Sequence, residues 1–96
     1  MLVSCRTNLD VVGEQWPKRM DYIPRVGDLI QSATKHGNFQ LRLKVVRVTW
    51  KPFQEESMLR SEWVPEIELH DFQDRSIQEF YEWYAPLVGK TVASFI

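Results

Sequence analysis

The sequence predicts an α+β fold: a small curled antiparallel sheet of about five strands, or a partly open barrel, with one C-terminal helix packed on it. Three observations predict it. Residues 39–50, FQLRLKVVRVTW, are the longest stretch of alternating apolar and polar residues in the chain, which is the period of a half-buried strand. The apolar residues of that stretch change parity at Val45-Val46, from Phe39, Leu41, Leu43 and Val45 to Val46, Val48 and Trp50. A strand with one buried face makes that change by inserting a residue, so a β-bulge is expected there, and a bulge bends a short sheet. From Asp71 the period becomes helical, with Ile77, Phe80, Tyr81, Tyr84, Leu87 and Val88 on one face.

The remaining elements follow in chain order. Leu2–Thr7 reads as a strand, with Val3, Cys5 and Thr7 on one side and Ser4 and Arg6 on the other. After turn residues at Asn8, Asp10 and Gly13, Gln15–Tyr22 alternates again, and Pro17 suits an edge position. Ile23-Pro24-Arg25-Val26-Gly27-Asp28 is a corner, in which Pro24 fixes φ and Gly27 can take a positive φ. Leu29–Ala33 is the next strand, and Lys35-His36-Gly37-Asn38 closes a hairpin into the central one. Lys51–Ser61 is expected to be a loop with a short helical turn near Glu55–Leu59. Glu62–His70 alternates as a strand, and Pro65 would make it an edge or a bulged strand. Ser76 and Glu79 fit a helix-capping box ahead of a helix over Ser76–Val88, with Asp71 and Asp74 complementing its positive end. Pro86 should stop or kink that helix near Tyr84-Ala85, and Gly89 is a plausible end. The tail at 90–96 fits either a helical turn or a last strand.

Ninety-six residues make a single domain, with the sheet over 2–70, the helix at about 75–88 and a short tail. Four Trp, three Tyr and five Phe make much of the core aromatic, which leaves little room for an enclosed cofactor, and none is expected. No stretch approaches the roughly 20 apolar residues of a membrane span, so no membrane partner is expected. Leu2-Val3-Ser4-Cys5 resembles the end of a lipoprotein cleavage box but has no apolar region before it, so no signal peptide is expected. A single Cys suits a reducing compartment. The expected location is cytoplasmic.

The net charge of −1 divides unevenly: residues 1–51 carry nine Lys/Arg and four Asp/Glu (+5), residues 52–96 three and nine (−6). A basic, aromatic face of Arg42, Lys44, Arg47 and Trp50 could bind single-stranded nucleic acid, guanidinium groups meeting phosphates and rings stacking on bases. Glu66 and Glu68, on the polar side of the following strand, would instead stand opposite those cations as cross-strand ion pairs. Self-neutralisation outweighs nucleic-acid binding, because the overall charge is not basic. Trp83, off the helical apolar stripe beside Glu79 and Glu82, is a candidate partner surface; the alternative is a ring lying over the sheet edge. A small cationic ligand would need several of Trp16, Trp50, Trp63 and Trp83 to converge.

Cys5 with His36 or His70 offers thiol–imidazole chemistry, but a buried structural Cys fits its apolar strand better. His70, Glu68, Asp71 and Asp74 could gather round a cation, yet their spacing matches no metal motif and the acids serve the helix start. No catalytic or metal site is therefore assigned.

Tyr22-Ile23-Pro24-Arg25-Val26-Gly27-Asp28-Leu29-Ile30, followed by Leu43-Lys44-Val45-Val46-Arg47-Val48-Thr49-Trp50, resembles a loose set of short bacterial proteins with an IPRVGD-type corner before a VVxVxW strand. They are often encoded on mobile DNA, as integron gene cassettes or in prophages. The resemblance covers residues 22–50 and implies a small SH3-like or OB-like barrel. It implies no activity and no functional residues. The expected function is that of a non-enzymatic interaction module, forming a homodimer that covers the edge strands of so small a sheet.

Overall fold

Alternation, bulge and helical period all appear in the structure, in a sheet of mixed strand direction. The computed structural model describes residues 1–53 and 62–95. β1 spans Ser4–Thr7, β2 Leu29–Gln31, β3 Arg42–Phe53 and β4 Glu62–Asp71; α1 spans Ile77–Leu87, and a 3₁₀ turn spans Val92–Ser94. The strands form a four-stranded sheet in the order β1-β4-β3-β2. The expected turn at Glu55–Leu59 lies outside the described residues. No helix among them is long and apolar enough to cross a membrane.

β3 and β4 pair antiparallel, and their register slips by one residue: Val45 faces Leu69, whereas Arg47 faces Glu68. Val46 is the inserted residue, where the parity change places it. Leu41, Leu43 and Val45 ahead of the bulge are wholly buried, as are Ile67 and Leu69 across from it. β3 then continues to Phe53, through residues expected to be loop. At its other end, Phe39 belongs to the hairpin rather than to the strand. His36 and Phe39 exchange backbone hydrogen bonds of 2.8 and 3.0 Å across Gly37-Asn38.

Three expectations are corrected. First, the sheet has four strands and is not closed, because Gln15–Tyr22 does not form a strand. That segment runs beside the start of the chain through three backbone bonds, Met1 and Met20 in both directions (2.7 and 2.9 Å) and Val3 N–H to Lys18 O (2.9 Å), around the isolated bridge of Leu2 to Arg19. Second, β1 pairs with β4 in parallel, Ser4 opposite Glu66 and Thr7 opposite Leu69. Alternation has the same period in either direction, so side-chain pattern alone does not distinguish them. Third, β4 is an inner strand despite Pro65. Pairing with β1 begins only at Glu66, so the proline stands where β4 still has a free side, and the bulge is on β3.

α1 covers one face of the sheet. Phe80, Tyr81 and Tyr84 join Val3, Leu9, Leu41, Leu43, Val45, Ile67 and Leu69 in the core. Ile77 and Leu87, expected on the same stripe, are 52% and 40% exposed at the two ends of the helix. Ser76 Oγ accepts the Glu79 N–H (3.2 Å) and donates to the Glu79 carboxylate (2.9 Å), a capping arrangement closed through the hydroxyl. The helix runs past Tyr84-Ala85 to Leu87, with Pro86 inside it. Glu82 and Pro86 are both exposed, so the donor lost at Pro86 lies on the solvent-facing side of the helix. Lys90 N–H bonds Ala85 O (2.9 Å) and Gly89 N–H bonds Pro86 O (3.3 Å), with Gly89 at φ 71°, the two bonds of a Schellman end.

The two helix tyrosines also hold the connection between β1 and β2. Tyr81 Oη accepts the Asp10 N–H (2.7 Å), and Tyr84 Oη accepts the Val12 N–H (3.0 Å) while donating to Glu14 Oε1 (2.8 Å). Replacing Tyr84 by Phe removes both bonds and leaves a buried carboxylate short of a donor, a loss of about 1–3 kcal/mol. Tyr81→Phe removes one bond and is expected to cost about 0.5–1.5 kcal/mol. Urea denaturation of the two variants, with unchanged slopes, checks the order.

Candidate functional site

The outer face of the sheet is a lattice of opposite charges. Alternation puts Ser4 and Arg6 of β1, Val64, Glu66, Glu68 and His70 of β4, and Lys44, Arg47, Thr49 and Lys51 of β3 on the side away from α1. Glu66 lies between cations of two strands, 2.6 Å from Lys51 and 3.2 Å from Arg6. The Lys51 hydrogen bond, more than any other effect, holds the Glu66 carboxyl below its ordinary range. Glu68 stands across from Arg47 at 3.7 Å. Lys44 turns instead to Asp74, at 2.8 Å from each carboxylate oxygen. Arg42 is exposed and makes no ion pair among the described residues. Of the three cations expected opposite Glu66 and Glu68, only Arg47 meets one of them; Glu66 is taken by Lys51 and Arg6 instead.

Trp50 does not share that face. Beyond the bulge, Val48, Trp50 and Pro52 alternate with Arg47, Thr49 and Lys51, and they point to the α1 side. The structure therefore separates the aromatic member of the candidate nucleic-acid surface from Arg42, Lys44 and Arg47.

Past the core, β3 and β4 continue as a two-stranded ribbon with its own chemistry. Trp50-Lys51-Pro52 and Trp63-Val64-Pro65 repeat one pattern, W-x-P. The register crosses them, Trp50 opposite Pro65 and Pro52 opposite Trp63. A proline has no N–H to exchange, so both pairs are of the non-hydrogen-bonded kind, in which side chains approach most closely. Trp50 is 50% exposed and Trp63 66% exposed, on one uncharged face. The same geometry turns the Trp50 N–H and C=O away from β4, toward the outer edge of β3. β2 pairs only with Arg42–Lys44, and Val45 bonds Gly27 and Asp28. Among the described residues, nothing covers the β3 edge beyond Val45.

The α1 surface is more fully used within the molecule. Asp71, 5% exposed, takes Arg75 in a two-pronged pair (2.8 and 2.9 Å) and accepts the Arg75 N–H at 2.9 Å. The Arg75 guanidinium then lies 4.0 Å over the Trp83 ring, whose edge contact with Phe39 is at 5.4 Å. Trp83 thus lies against the sheet edge with a cation already on its face. Glu79 and Glu82 are exposed beside it. Trp16 borders a separate groove of about 460 Å³ along β1. The four tryptophans thus occupy three separate places.

The histidines and the thiol stay apart. Cys5 Sγ donates to Pro17 O (3.4 Å), and burial pushes its thiol up, away from the reactive thiolate. His70 lies 3.8 Å from Glu68. His36 Nε2 donates to Glu14 Oε1 at 2.8 Å, beside the Tyr84 hydroxyl. Pattern reading misses this Glu14–His36–Tyr84 cluster, because its members lie on a loop, a hairpin and a helix. The Glu14 side chain is 0% exposed. Burial above all raises the Tyr84 phenol well above its usual range, and the neighbouring Glu14 adds to it. Through Glu14 Oε1, a buried carboxylate and a protonated phenol tie three segments together, while Glu14 Oε2 is buried without a partner among the described residues. Among the described residues no group of three His, Cys, Asp or Glu could hold a metal ion.

No protein family, curated protein or solved structure matches the chain.

Asp71 sets an acid dependence. Burial pushes its carboxyl up, but hydrogen bonds from the Arg75 side chain and from the Arg75 and Gln73 amides outweigh it, and the carboxyl lies below its ordinary range. A carboxyl lowered by folding contributes its full stability above the unfolded range, about pH 4, and loses it as the pH falls through the lowered value. Asp71→Asn is expected to cost about 1.5–3 kcal/mol at neutral pH and much less at strongly acid pH. Urea titrations at both ends of that range check it.

Proposed function

We propose that the chain is a non-enzymatic interaction module that self-associates through the exposed face of the β3–β4 ribbon. The observation that carries this reading is the pair of crossed W-x-P motifs, which sets two exposed tryptophans on one face of the ribbon. Indole rings supply large, rigid contact area and are enriched among residues that dominate interface energetics. Among the described residues the face bears no charge, so two copies can meet there about a two-fold axis without like-charge repulsion. The use of Glu14, His36 and Tyr84 in holding three segments together, and a half-buried thiol held away from the thiolate, support the non-enzymatic part of the reading.

A second reading is single-stranded nucleic-acid binding through Arg42, Lys44 and Arg47, favoured by Arg42, which makes no ion pair among the described residues, beside a hollow of about 260 Å³ that Phe39, Phe72 and Trp83 border. The ion pairs of Lys44 and Arg47 and the opposite orientation of Trp50 weigh against it. It requires a mobility shift that weakens steeply with salt, and no shift at low salt is expected.

Sedimentation equilibrium is expected to show a dimer at micromolar concentration. The double substitution Trp50→Ala, Trp63→Ala should raise its dissociation constant about tenfold or more while leaving the far-ultraviolet spectrum of the fold in place. A strict monomer removes self-association. Weakening by Glu79→Ala, Glu82→Ala instead moves the interface to α1.

A further inference from the structure

We infer that the open edge of β3 accepts an extended acidic peptide, added as a fifth strand beside residues 47–51. This rests on the interaction-module reading and names a partner for a surface that face-to-face pairing of the ribbons leaves free.

The backbone sets where such a strand can sit. Pairs across the ribbon alternate, so the class containing Trp50–Pro65 also contains Val48–Ile67. Val48 and Trp50 thus both direct N–H and C=O outward. Pro52, of the same class, offers only its carbonyl, and toward the other end Val45 is already bonded to Gly27 and Asp28. The free edge is therefore short, with donors and acceptors in the repeat that strand addition requires.

The charges set what the strand carries. Across the outer face the sign alternates from strand to strand: Arg6 on β1, Glu66 and Glu68 on β4, Arg47 and Lys51 on β3. Glu66 already has a cation on each side. Arg47 and Lys51 have a carboxylate on one side and the open edge on the other, and the Arg47 side chain is 72% exposed. A fifth strand continues the alternation if it places acids beside Arg47 and Lys51. Residues opposite Val48 and Trp50 fall on the apolar side, so the pattern is acidic, apolar, any, apolar, acidic. A second copy of β3 does not satisfy it, since antiparallel pairing about Thr49 sets Arg47 against Lys51 of the other copy. A nucleic-acid strand has no amides for this edge, and Glu66 and Glu68 oppose its phosphates.

The test titrates a fluorescein-labelled peptide containing Glu-Val-Thr-Val-Glu into the full chain and reads anisotropy, with amide hydrogen exchange as a second readout. Binding is expected at low salt, with the Val48 and Trp50 amides, open in the free protein, becoming protected. Arg47→Glu should weaken it about tenfold or more, and N-methylation of the two peptide valines should abolish it. Equal binding of the Lys-Val-Thr-Val-Lys peptide, or undiminished binding after N-methylation, overturns the proposal. So does binding of a labelled oligonucleotide in place of the peptide. Loss of peptide binding alongside a Trp-dependent dimer defeats this inference only, whereas loss of both defeats the interaction module itself.

Discussion

One unpaired residue, Val46, determines which way every later side chain of β3 points. Ahead of it the odd residues Leu43 and Val45 enter the core; beyond it the odd residues Arg47, Thr49 and Lys51 face water. Removing that residue would invert the strand from Arg47 onward, because a slip of one exchanges the two faces of a sheet. Arg47 and Lys51 would then lie on the side of α1, away from Glu68 and Glu66, and the tryptophan of the first W-x-P motif would no longer share a face with the second. The charged lattice on one side and the aromatic ribbon on the other are two results of one insertion.

Much of this was legible because it is periodic. The bulge followed from a change of parity, the helix from its apolar stripe and its Ser76–Glu79 cap, and one ion pair, Arg47 with Glu68, from the placement of the glutamates; Lys44 goes to Asp74 and Glu66 to Lys51 and Arg6, which alternation does not foretell. What stayed hidden was non-periodic or directional. The parallel pairing of β1 leaves no trace in alternation. Gln15–Tyr22 alternates as well as a strand does, but its backbone partners fail around Pro17. Trp50 follows the run of basic residues in sequence, yet the bulge that the parity change foretells also carries it to the opposite face. The W-x-P repeat is two short matches that a reading of alternation passes over; its meaning depends on the cross-strand register, which only the pairing supplies.

The Glu14–His36–Tyr84 cluster illustrates a different limit. Each residue alone reads as ordinary, and proximity comes from the helix packing over the connection between β1 and β2. A carboxylate without solvent exposure demands donors, and the phenol and the imidazole provide them to Oε1, while Oε2 has no partner among the described residues. The same contacts stitch a chain segment with little regular structure to the sheet and helix, so a group that resembles a catalytic set serves to define the path of the loop.

The prolines of the ribbon have a consequence for growth. Two largely exposed tryptophans beside a bare strand edge are the ingredients of open-ended stacking, in which each added strand exposes a new edge for the next. Pro52 interrupts that edge with a residue that cannot donate, and Pro65 does the same on β4 just before β1 begins. Any strand that settles on β3 runs out of rungs within a few residues. The ribbon is thereby suited to finite contacts rather than to open-ended growth into a fibre.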